Sequence, residues 1–141
     1  MTGIEILQTW YERVWEQADL DAVAEYFDIN AMANGLMSDL AAELEDFQTI
    51  VPAILRLIRN VKINIAHSME DGDKAWALVE IHAQNAETMA PVVCSGQVMI
   101  KTKDNKIIEA YNHFDFLGFF EQLGSLPQDT IALCLSGEVL S

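Results

Sequence analysis

The chain has 141 residues, one ordinary domain's worth, and 51% of them are apolar, enough to bury a core and too many for a disordered chain. It carries 22 acidic against 8 basic residues, a net charge of −14. Such a surface repels phosphate backbones and anionic membranes, which argues against a nucleic-acid or membrane partner and for solubility.

Thr2 and Glu5 have capping-box spacing at the start of a helix. Ile4, Leu7, Tyr11, Val14 and Ala18 follow it at helical intervals, with Trp15 beside the stripe. Asp19 stands where it can cap a second short helix with Leu20, Val23, Ala24 and Phe27 inward. Residues 29–36 read as a short strand ending near Gly35. Phe47, Ile50, Val51, Ile54, Leu55 and Ile58 form the next apolar stripe. Pro52 fits only a first turn or a kink, so the regular helix is expected to start near Thr49, with 38–46 a separate turn or short helix.

The period then changes to two. Strands are expected over 61–69, 74–84, 92–102 and 107–115, the first two joined by Glu-Asp-Gly-Asp and the last two by Lys-Asp-Asn-Lys. A helix over 117–123 closes at Gly124, and a short one over 128–135 ends before Gly137. Helices first, an antiparallel meander next and a helical tail last make an α+β domain with helices packed on one face of a curved sheet. The concave side of that sheet is the expected pocket. Cys94 and Cys134 lie in no motif and read as buried, reduced thiols. With no basic-then-apolar leader and no apolar run of about twenty residues, a cytoplasmic protein is expected.

Residues 106–124, K-I-I-E-A-Y-N-H-F-D-F-L-G-F-F-E-Q-L-G, resemble the closing segment of SnoaL-like proteins of the nuclear transport factor 2-like superfamily. The matching positions are Lys106, Ile107, Ile108, Glu109, Tyr111, Asp115, Leu117, Gly118, Gln122, Leu123 and Gly124. Tyr111 stands where the family usually has tryptophan, and Asn105 replaces the turn glycine. The family's Gly-x-Pro-Pro-Thr-Gly loop is replaced by M-A-P-V-V-C, with Pro91 alone. The resemblance implies a cone-shaped, cystatin-like sheet wrapped around N-terminal helices, an internal cavity and a homodimer through the sheet. It also implies that Asp115 is the acid/base of an intramolecular aldol ring closure with no metal or cofactor.

The residues themselves leave Asp115 two roles. It is a carboxyl next to an apolar cavity, suited to moving a proton beside a carbonyl, or it is the N-cap of the following helix. His113 shares a strand face with Asp115, roughly 6.6–6.8 Å away, and suits either enolate polarisation or a plain structural bond. Tyr111 shares that face too. His82 and Trp76 share a face of the second strand and join the pocket only if that face is concave. Of the Trp10, Tyr11 and Trp15 group, Tyr11 is expected to reach the pocket mouth, with Trp15 also a candidate ligand-binding residue. No local spacing joins the three histidines into a zinc site, and no nucleophile elbow, phosphate loop or dinucleotide motif is present. Two functions follow: a cofactor-free cyclase or isomerase acting on a small apolar or aromatic carbonyl compound, or a non-catalytic binding or protein-interaction module of the same fold.

Overall fold

The computed structural model describes residues 1–35 and 46–141, with the backbone alone described over 29–35. The segment expected as a separate turn at 38–46 lies outside the described residues, Asp46 excepted.

Helix α1 (Gly3–Trp10) starts with the expected capping box. The Thr2 hydroxyl accepts from the Glu5 amide at 3.1 Å, and the Glu5 carboxylate accepts from the Thr2 amide. The helix widens into a π-helical segment, Tyr11–Glu16, in which the Gln17 amide donates to the Glu12 carbonyl at 2.9 Å. It ends at Ala18, which has φ +56 and leaves the apolar stripe. Arg13 then fastens the next turn. Its Nη2 donates to Asp19 at 2.7 Å, its Nη1 donates to Glu25, and its guanidinium lies 5.8 Å from the Tyr26 ring centre. Asp19 stands at the cap position as expected, but its carboxylate is turned chiefly to Arg13.

The second helix, α2 (Val23–Tyr26), is a single turn. Ala22, Val23, Tyr26 and Phe27 are buried, while Ala24 faces out. Strand β1 (Phe27–Gly35) follows. Helix α3 (Phe47–Leu55) begins two residues earlier than expected and carries Pro52 inside it, whose carbonyl still accepts from Arg56 at 3.1 Å. Ile58 belongs to the next strand, not to the helix.

The meander is β2 (Ile58–Asp71), β3 (Lys74–Asn85), β4 (Pro91–Lys103) and β5 (Lys106–Phe114). The strand order is β1-β5-β4-β3-β2. The meander is antiparallel, but β1 runs parallel to β5, so the five-stranded sheet is mixed. The sequence reading lacked that pairing, because β1 joins the sheet only after the whole meander has returned to it. Asp104 and Asn105, at φ +53 and +62, make the two-residue turn between β4 and β5. Register shifts at 59–62 and 65–67 in β2 and at 101–102 against β5 mark bulges, which bend and twist the sheet.

One face of the sheet is covered. Ala75, Ala77, Val79, Val98, Ile100 and Ala110 pack against Ile6, Leu7, Trp10, Tyr11, Val14, Phe27 and Val51. The alanines on β3 allow close approach: a Cβ on Gly3 at the start of α1 would lie 2.8 Å from that of Ala75. A smaller cluster of Ile58, Ala83, Val92 and Phe119 seats helix α4 (Phe116–Leu123). There β4 runs on past the end of β5, and the Gln122 amide takes the missing strand's place. It accepts from the Val93 N–H and donates to the Val93 carbonyl, both at 2.8 Å. Gly124, at φ +82, ends α4, and α5 (Thr130–Leu135) finishes the fold. Cys94 is half-buried on the covered face, whereas Cys134 is exposed, which corrects the expectation that both are buried. Among the described residues no helix is long and apolar enough to cross a membrane.

Candidate functional site

Tyr111 and His113 share one face of β5, but it is the uncovered one, and Asp115 lies just past the strand's end. On β5, Ala110 is buried and Phe114 packs on the core, so the residues between them at odd positions point away. Tyr111 and His113 are exposed. The same parity governs β3. Ala75, Ala77 and Val79 face the helices, which places Trp76, Leu78, Glu80 and His82 outside. The expectation that Tyr111 and His113 wall the concave side is therefore corrected, and the open question about Trp76 and His82 is answered. The bulge at 107–109 resets the parity of β5, and the buried positions follow from it.

The outer face has an order of its own. Register pairs Met69 with Trp76, Trp76 with Met99 and Met99 with Tyr111, one row across four strands. The next row runs His67, Leu78, Gln97, His113. Trp76 Nε1 donates to Gln97 Oε1 at 3.0 Å, tying the two rows. His82 lies farther along, with its Nε2 3.8 Å from Glu80. All three histidines of the chain are thus on this face and exposed.

Asp115 ends β5 as the N-cap of α4, where its Oδ1 accepts from the Gly118 amide at 2.9 Å. The fit is close, since a Cβ on Gly118 would meet the carboxylate at 2.4 Å, so a larger residue there would have to shift the cap. The side chain is exposed, as expected of a cap and not of a desolvated acid. Its charge is still felt inside. Burial first, and the Asp115 charge second, push the Cys94 thiol up to about 11. Asp115 thus stands at the rim between the outer surface and the covered side.

Tyr11 is where the covered side opens. It is 5% exposed, and burial drives its phenol well above the ordinary value. The hydroxyl makes no hydrogen bond to a described residue. It borders a cleft of about 210 Å³ lined by Gln8, Tyr11, Ile63, Asn64 and Ile65. The cleft is a gap between the first helix and β2, which is an edge strand. Two carboxylates tie the first helix to β2 along this seam: Glu70 accepts from the Ile4 amide at 3.0 Å, and Glu16 accepts from the Ile63 amide at 3.1 Å. Tyr11 opens the π-helical segment, and such widened turns recur at functional sites. Trp15, the other candidate ligand-binding aromatic of the first helix, is half-buried and packs against the core. Sequence reasoning named Tyr11 but not Gln8 or residues 63–65. The one signal for them was that the first strand of a meander tends to lie at an edge.

No group of three or more metal-ligating side chains occurs among the described residues.

Helices on one face of a curved mixed sheet, with a cleft at the helix–sheet seam, define the α+β class typified by nuclear transport factor 2 and ketosteroid isomerase. The chain belongs to the SnoaL-like polyketide cyclase family, whose profile matches residues 5–123. Solved structures agree on the fold. A candidate polyketide cyclase from Acidithiobacillus ferrooxidans has a TM-score of 0.74 at 17% identity, over 86% of this chain and 93% of that one. A candidate hydroxylase from Streptomyces galilaeus gives 0.73 at 15% identity, over 95% and 90%. A ketosteroid isomerase-like protein from Catenulispora acidiphila, in complex with trimethylamine, gives 0.71 at 16% identity, over 92% and 98%. No curated protein matches the sequence.

Proposed function

We propose that the chain binds a small, neutral, apolar or aromatic carbonyl compound, and that the Tyr11 phenol hydrogen-bonds its carbonyl oxygen. One observation carries this reading: a buried tyrosine ring whose hydroxyl has no described protein partner and borders a cleft. A hydroxyl that meets solvent only through a cleft can exchange that water for a ligand's carbonyl oxygen, in surroundings less polar than bulk water. Glu12, Glu16 and Glu70 flank the cleft and disfavour an anionic ligand. The trimethylamine held by a protein of the same fold supports a small-molecule site. In this reading Asp115 caps α4, His113 is a surface residue, and the chain binds without turnover.

A second reading is favoured by the rim position of Asp115, whose charge reaches the Cys94 thiol. There Asp115 serves as acid and base in a ring closure of the kind its family's name describes, with no cofactor, and His113 polarises the substrate. The test is a panel of small aromatic carbonyl compounds, assayed for thermal stabilisation and for product. Stabilisation without conversion, lost in Tyr11→Phe, supports binding. Conversion that disappears in Asp115→Asn overturns it in favour of catalysis.

The outer row of Met69, Trp76, Met99 and Tyr111 also supports a homodimer through the sheet. Met69 is 66% exposed and Tyr111 38%, an apolar row that a second sheet would cover. Sedimentation of a single monomeric species at micromolar concentration excludes the dimer.

A further inference from the structure

The Tyr11 cleft runs along the edge strand β2, and the polarity of that edge's backbone says what the ligand carries. Ile63 and Ile65 pair with Ile81 and Val79 on β3, with Asn64 opposite Glu80 between them. In an antiparallel ladder, residues alternate between those bonded to the neighbouring strand and those whose N–H and C=O face away. The bond from the Ile63 N–H to Glu16 fixes the phase: Ile63 faces away from β3, so Asn64 is bonded to Glu80. The Ile63 carbonyl and the Ile65 N–H therefore also face away, flanking Asn64. Neither makes a hydrogen bond to a described residue. Gln8 and Tyr11 wall this stretch, and Glu16 takes only its first donor.

An acceptor and a donor two residues apart on a strand edge are half of a parallel ladder. The unit that completes it has an N–H and, one carbon on, a carbonyl. We propose that the ligand of this cleft is a small N-acyl α-amino carbonyl compound, bound as one residue's length of β-strand. Its N–H donates to the Ile63 carbonyl, its α-carbonyl accepts from the Ile65 N–H, and its acyl oxygen accepts from the Tyr11 hydroxyl. The cleft's size suits this. Its 210 Å³ is below the roughly 300–1,000 Å³ of drug-sized pockets, and the carboxylate clasps at Ile4 and Ile63 close the edge to a longer strand. The bulges at 59–62 and 65–67 break the edge on either side, so only the stretch between them offers regular pairing. The surrounding carboxylates disfavour a ligand with a free carboxylate.

This inference rests on the reading of the Tyr11 cleft as the ligand site and adds the ligand's class. Three probes separate the two. N-acetylglycine N-methylamide has both groups. N-acetylsarcosine N-methylamide has a methyl in place of the donating hydrogen. Cyclopentanone offers a carbonyl alone. Each is titrated into the full, nitrogen-15-labelled chain while the backbone amides are followed. The inference expects the glycine compound to shift the Ile65 amide saturably, and the sarcosine compound to bind at least about fivefold more weakly, the value of one hydrogen bond. Equal binding of all three at Tyr11 and Ile65 overturns the amino-carbonyl class and leaves the cleft as a carbonyl site. No saturable shift at Gln8, Tyr11 or Ile65 with any of them overturns both.

Discussion

The two faces of the sheet share the same strands and diverge in every other respect. The covered face is built of alanine, valine and isoleucine, and Ala77, Val79, Val98 and Ile100 are 0–2% exposed. The uncovered face, one residue along on the same strands, carries all three histidines, Trp76, Tyr111 and charged side chains. The residues that look most chemical in the sequence lie on the face with no walls. Tyr11, a buried ring whose hydroxyl has no described protein partner, lies at the seam of the covered one. Chemical capacity depends on desolvation as much as on residue type, and period-two alternation assigns desolvation by parity.

Neighbouring residues on β4 break the comparison most severely. Val98→Asp puts an unpaired charge in the core and should cost more than about 4 kcal/mol, enough to leave the chain unfolded in urea titrations. Met99→Asp, one residue on, should change monomer stability by less than about 1 kcal/mol and weaken only a sheet-mediated dimer. Equal effects of the two would mean that both faces are buried. Gly96→Ala comes next. Its Cβ would sit 2.2–2.7 Å from the Phe114 ring, a clash expected to cost about 1–3 kcal/mol in the same assay.

Where α4 meets the sheet, Gln122→Ala removes both bonds to Val93 and should cost about 1–2 kcal/mol. Asp115→Ala removes the cap for about 1 kcal/mol, whereas Asp115→Asn, itself a good cap, should be nearly neutral. A large loss on Asp115→Asn would mean that its charge, not its capping geometry, holds α4.

The smallest effect is one of pH, at the first helix. The hydrogen bond from Arg13 holds the Asp19 carboxyl below its ordinary value of 3.8. A group whose folded pKa is lowered stabilises the fold above its unfolded value and loses that contribution as pH falls through the folded one. Arg13→Met should therefore lose stability at neutral pH and show a shallower acid limb below 3.8. An unchanged acid limb would mean that the pair is solvent-screened to no effect.

Much of the fold was legible because its signals are local. Thr2 with Glu5, Asp104 with Asn105 and Gly124 each occupy a backbone position that few residue types satisfy, and each marks its boundary within a residue or two. The closing motif located β5 and α4 in the same way, and the capping alternative for Asp115 came from its place before Phe116. The parallel pairing of β1, the bulge that resets β5 and the facing of β3 were not legible, because each depends on a partner far away in sequence. The site suffered most from this. Tyr111 and His113 follow the expected alternation, but no residue near them says which side the helices cover, and Asp115 leaves the strand to cap α4. Gln8 and Ile65 meet only because α1 runs along an edge strand, and nothing in either segment announces it.

The central claim is that function lies at the seam of the covered face and not on the outer one. The most direct measurement compares the affinity of Tyr11→Phe and Asp115→Asn, by calorimetry, for whichever carbonyl compound most stabilises the wild-type chain. The account predicts that Tyr11→Phe binds about five- to tenfold more weakly, as for one lost buried hydrogen bond, while Asp115→Asn binds as the wild type does. Full affinity in Tyr11→Phe together with a loss in Asp115→Asn would contradict it and return the site to the end of β5.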